Sequence, residues 1–190
     1  MKRFLWIAVF LIATVSACSD TEGDPPPAET STPATPTTTS PDTLERYESP
    51  ELGFAISYPA TWTVEPSPDE GLVLFSAPVA ASGLTPNFNV RTGAVPGPAA
   101  DYYGGAAARL TQNLPGVEIL EEADIGVDGF PGHGVTIVST EGDVAVGISQ
   151  MIVLVNGRAW EVTFLADANE LGELSSLVNG VFQSFQLLRG

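Results

Sequence analysis

One imidazole, one thiol and a short run of carboxylates are the side chains here whose types and spacing could do chemistry. His133 is the only histidine, so it is the only candidate imidazole base. Serine hydrolysis needs Ser, His and an orienting carboxylate, and no Gly-x-Ser-x-Gly elbow is present. His133 stands in Gly129-Phe-Pro-Gly-His-Gly134, where Gly and Pro read as a turn entering a strand, so a solvent-facing turn histidine is expected. Glu121-Glu122-Ala-Asp124 and Asp128-Gly129 bring four carboxylates near one another. A calcium loop of the EF-hand type would need Asp-x-Asp-x-Asp-Gly and a Glu at its twelfth position, and that pattern is absent. On an alternating strand Glu122 and Asp124 share a face and Glu121 takes the other, which predicts a solvated acidic rim. The glycines at 129, 132 and 134 do not have dinucleotide-loop spacing, and the only lysine is Lys2, which leaves no P-loop or Schiff-base lysine in the body of the chain. Paired carboxylates could hydrolyse glycans, but among 23 acidic residues a pair carries no information by itself. No catalytic residue, metal set or cofactor is expected, and the chain reads as a non-enzyme.

Cys18 is the only cysteine, which excludes an intrachain disulfide and a multi-cysteine zinc site. It follows Lys2 and Arg3, then the apolar run Phe4 to Ala13, then small residues. That run is too short to cross ~30 Å of hydrocarbon as a helix and reads as an export signal. Val15-Ser16-Ala17-Cys18 resembles the lipobox of bacterial lipoproteins. The resemblance implies cleavage before Cys18 and acylation of its thiol, so residues 1–17 are a lipoprotein signal peptide and Cys18 is the lipidation site. Two or three acyl chains, at ~0.8 kcal/mol per buried CH₂, hold a protein on a membrane durably.

Residues 18–43 form the tether. Six prolines and many threonines leave almost no large apolar side chain after Cys18, so the segment is expected to be disordered or extended. In polyproline geometry it would reach roughly 75 Å, and as a coil about 25–30 Å. The charge gives this spacer a purpose. The whole chain carries −16, and loss of Lys2 and Arg3 with the signal leaves −18, with five arginines as the only cations. Such a body is repelled by anionic headgroups and by nucleic acid alike, so no nucleic-acid partner is expected.

Residues 44–190 are read as one domain. Period-2 patterns mark strands at 54–58, 61–65, 71–76 and 87–93, and again at 117–125, 133–140 and 144–155. Pro59-Ala60 marks a hairpin or a sharp corner. Ala99 to Leu114 is helix-like, interrupted by Gly104-Gly105, each costing ~1 kcal/mol relative to Ala. Asn156-Gly157 predicts a two-residue type I′ turn that pairs Val153 with Trp160 and Met151 with Val162 on one face. Leu154 with Ala159 and Ile152 with Glu161 fall on the other, so this hairpin is expected inside a sheet covered on both sides. Asp167-x-x-Glu170 resembles a capping box ahead of Leu171, Leu174, Val178 and Val181 at helical spacing. The expected class is α+β: an antiparallel β-sheet covered by helices.

Gly53-Phe-Ala-Ile-Ser-Tyr-Pro-Ala-Thr-Trp62 resembles the opening motif of PsbP-like domains, in which a strand ends in Tyr-Pro-x-x-Trp. With the lipobox and Thr/Pro tether, the chain is most similar to the LpqN-type cell-envelope lipoproteins of actinobacteria. That resemblance implies a PsbP-like α/β/α sandwich and an accessory, non-catalytic role near lipid export or wall assembly. Two functional readings follow. One is a lipid-anchored, extracytoplasmic adaptor whose acidic surface docks a basic envelope protein. The other is a carrier or sensor of a small apolar ligand such as a lipid, held in a helix–sheet cleft near Tyr102-Tyr103-Gly104-Gly105.

Overall fold

The computed structural model describes residues 43–79, 83–95 and 97–188. The expected signal peptide, Cys18 and all but the last residue of the expected tether lie outside the described residues.

Ten strands and three α-helices make up the regular structure of the described residues, with one 3-10 turn at Pro68–Glu70. β1 (Leu44–Ser49) and β2 (Phe54–Pro59) form an antiparallel hairpin, joined on β2's other side by β10 (Gln186–Leu187). β3 (Thr63–Ser67), β4 (Leu72–Ser76) and β5 (Asn87–Ala94) make a meander. The chain then passes through α1 (Ala99–Gly104) and α2 (Ala106–Thr111) to the far edge of the same sheet. From there β6 (Val117–Val127), β7 (Phe130–Glu141), β8 (Val144–Val155) and β9 (Arg158–Asp167) return strand by strand, until β9 pairs with β5. The result is an antiparallel seven-stranded sheet ordered β3-β4-β5-β9-β8-β7-β6. α3 (Leu171–Ser184) follows β9.

Layering explains the burial. One face of the large sheet packs on α3 and the small sheet, through Phe75, Phe88, Trp160, Val162 and Phe164 against Phe54, Ile56, Val181 and Phe185. The other face packs on α1 and α2, through Val135, Ile137, Ile148 and Ile152 against Ala106 and Ala107. The expected α+β sandwich is present, with one addition: on the α3 face a second, three-stranded sheet shares the covering role with the helix.

The Asn156-Gly157 turn has φ of 52° and 76°, as type I′ requires, and the register is the expected one. Pro59-Ala60 resolves as a corner, because β2 and β3 belong to different sheets. Trp62 N–H donates to the Pro59 carbonyl at 2.9 Å, and the indole packs 5.8 Å from Phe88 and 6.1 Å from Phe164. Tyr-Pro-x-x-Trp therefore carries the chain from the small sheet into the large one. β1, which has no alternating apolar pattern, is a strand the sequence did not announce; it is held by the β2 ladder.

One local expectation fails and one holds. Helix α3 begins at Leu171 with Glu170 at its cap, and Glu170 makes no side-chain cap bond. Asp167 ends β9 instead, and its carboxylate accepts from both the backbone and side-chain N–H groups of Asn169. Competition from this Asx-type turn displaces the capping box. The Ala-rich segment is two six-residue helices broken at Gly104-Gly105, where the glycine cost predicts it.

Candidate functional site

The turn reading of His133 is overturned. The turn is only Asp128-Gly129, with φ of 48° and 82°, and β7 starts at Phe130. Asp-Gly between alternating apolar residues is itself a strong hairpin signal, and here it was masked by the glycines and proline behind it. Pro131 is tolerated because the β7–β8 ladder begins one residue later, at Gly132, so no ladder bond there needs its missing N–H. Gly132 is needed for close approach, since a Cβ there would stand 2.7 Å from the Ile152 carbonyl oxygen and 2.8 Å from Val127.

His133 is consequently buried inside β7, opposite Asp124 of β6. Its Nδ1 lies 3.0 Å from Asp124 and its Nε2 3.1 Å from Glu122. Burial works to lower the imidazole pKa, but hydrogen bonds to Asp124 and Glu122 and their negative charge outweigh it and hold it above 6.5. Tyr103 stacks 6.0 Å from the imidazole, donates its hydroxyl proton to the Pro131 carbonyl and accepts from Leu154 N–H. The predicted sharing of one face by Glu122 and Asp124 is correct, but they clamp a histidine as well as meeting solvent. Asp128 is not part of this group: its carboxylate accepts from Leu187 N–H at 3.0 Å. The two carboxylates sit on opposite nitrogens of one ring and cannot converge on an ion. Among the described residues no group of three His, Cys, Asp or Glu is arranged to hold a metal.

Tyr102 and Tyr103 are both on α1, and both hydroxyls are engaged by protein groups. The Tyr102 hydroxyl donates to Glu161 at 2.8 Å, and the Arg109 guanidinium covers its ring at 3.8 Å. Burial, then the hydrogen bond and charge of Glu161, push its pKa up to about 12. Beside it is a small polar hollow of about 250 Å³ bordered by Arg91, Thr92 and Glu161.

The helix–sheet cleft is on the opposite face, beneath α3. About 290 Å³ lies between Asn179 and Phe182 of the helix and Ala123, Ile125, Thr136 and Met151 of the sheet. It adjoins a second hollow of about 350 Å³ under the start of α3, bordered by Leu120, Leu171, Ser175 and Val178, with Glu121 lining both. Space exists here because Ala123 and Gly134 face each other in the ladder, so neither fills the gap below Phe182. Finding this from sequence needs the β6–β7 register, which the misplaced turn concealed.

Antiparallel sheet, crossing helices and closing helix together define a PsbP-like fold. The solution structure of cyanobacterial PsbP (CyanoP) from Synechocystis sp. PCC 6803 superposes with a TM-score of 0.57 at 17% identity, over 81% of this chain and 98% of that one. LpqN of Mycobacterium tuberculosis, described as involved in cell envelope biogenesis, gives 0.56 at 14% identity, over 78% of this chain and 87% of its own. The Saccharomyces cerevisiae Ran-binding protein Mog1p gives 0.56 at 10% identity, over 77% and 96%. At these identities the likeness is one of fold. No family model and no curated protein matches the chain.

Proposed function

We propose that this protein is a lipid-anchored, extracytoplasmic accessory protein of the bacterial cell envelope, non-catalytic, working as an adaptor that docks an envelope partner. One observation carries the reading: the only imidazole has both nitrogens engaged by strand carboxylates, so the domain offers surfaces rather than a free base. The lipobox ending at Cys18 supports the address. The fold shared with LpqN, involved in cell envelope biogenesis, and with Mog1p, which binds Ran, supports a binding role over a catalytic one.

Metabolic labelling with palmitate tests the anchor. Wild-type chain is expected to incorporate label and Cys18→Ala to lose it together with membrane retention; equal labelling of the two would refute the anchor. Crosslinking in cells, followed by identification of the captured protein, tests the adaptor.

A second reading is favoured by the cleft under α3: a carrier of a small amphipathic molecule such as a lipid. Apolar walls with Thr136 and Asn179 at hydrogen-bonding positions suit such a ligand. Native mass spectrometry of gently purified protein is expected to show a bound lipid under this reading, and bare protein alone would exclude it.

A further inference from the structure

The two edges of the seven-stranded sheet are unlike. β3 has five residues and carries Pro66, which cannot donate a ladder bond. β6 has eleven residues and no proline, an edge of about 36 Å at ~3.3 Å per residue. Its outer side pairs with no strand among the described residues. Two of its aliphatic side chains, Ile119 and Leu120, are 49% and 53% exposed at a bulge between Ile119 and Glu121. An edge of this length is a template for an added strand.

Charge selects among the occupants. A second copy pairing through β6 would set Glu118, Glu121, Glu122 and Asp124 against the same residues, and like charges facing across a ladder are destabilising. The chain's own tether carries Asp20, Glu22, Asp24 and Glu29 among its six prolines, so it has the wrong sign and lacks donors. The side chains of Glu118 and Glu121 make no hydrogen bond or ion pair among the described residues, so they can pair with incoming cations on one face of the sheet, while Ile119, on the other face, offers an apolar contact.

Resting on the adaptor reading, we propose that β6 is the docking edge for an extended segment of a partner protein in which aliphatic residues alternate with Lys or Arg, added as an eighth strand. Backbone bonds along β6 supply the affinity. The carboxylates supply the choice of partner and steer its approach.

The probe is a short synthetic peptide alternating lysine and valine, titrated into the full-length chain at low salt and followed by calorimetry and amide hydrogen exchange. It is expected to bind, to slow exchange along residues 117–125, and to lose at least tenfold in affinity in the doubly substituted Glu118→Lys, Glu121→Lys chain. A peptide alternating glutamate and valine is expected not to bind. These exposed substitutions leave the core and the His133 clamp untouched, and unchanged circular dichroism checks that. Absence of binding, protection confined to other elements, equal affinity in the double variant, or dimerisation of the wild type through β6 would each overturn the inference. A cellular partner crosslinked equally to wild type and double variant would overturn it and leave the adaptor reading standing. Failure of the wild type to crosslink any envelope protein would instead overturn that reading.

Discussion

His133 links two strands through a proton. An imidazolium donates to Glu122 and Asp124 together, whereas the neutral ring can donate to only one of them. Its folded pKa lies above 6.5, so the stabilisation is fully present below the unfolded value and is lost as pH rises through the raised one. Asp124 is 93% exposed, which screens its share. Replacing the ring in His133→Gln should therefore lower Tm by about 2–4 °C at pH 6. The gap should narrow as pH rises above the ordinary imidazole range, and a gap independent of pH would contradict the clamp. Tyr102 makes a second check, because its pKa of about 12 puts it among the late-titrating tyrosines. An ultraviolet pH titration should lose a late step in Tyr102→Phe. The strand alternation of Glu122 and Asp124 was legible in the sequence. The histidine between them was not, because three glycines and a proline look like a loop until neighbouring strands show why small residues are needed.

Strand pairing is where local chemistry spoke most clearly. Asn156-Gly157 set the β8–β9 register residue by residue, since φ > 0 at both positions leaves type I′ as the turn that matches strand twist. Asp128-Gly129 carried the same information for β6–β7. The start of α3 is less local. Gly147 of β8 lies directly beneath Leu171, and a Cβ there would collide with the leucine side chain. Gly147→Ala should therefore displace the first turn of α3 and cost about 1–3 kcal/mol, read as a lowered urea midpoint. An unchanged midpoint would mean that α3 docks loosely. Asp167 shows the limit of motif reading: the capping-box spacing is present, but the carboxylate is taken by Asn169 two residues on.

At the scale of the molecule, the Tyr58-Pro59-x-x-Trp62 corner holds two sheets in one core. Trp62→Ala should loosen both and cost about 2–3 kcal/mol, less than a fully buried indole because Trp62 is only half-buried. Loss of that magnitude in chemical denaturation, with both sheets opening in one transition, is the expected result; independent melting of the small sheet would contradict a shared core. By itself the sequence determined the acidic balance, the α+β class and the β8–β9 register. Each of these is written in residues adjacent along the chain or in simple sums over it. Only the tertiary structure decided that His133 is buried between carboxylates, that a cleft lies under α3, and that β6 has no outer neighbour among the described residues. Those features depend on which strands come to lie side by side, and that is fixed by packing between residues far apart in sequence.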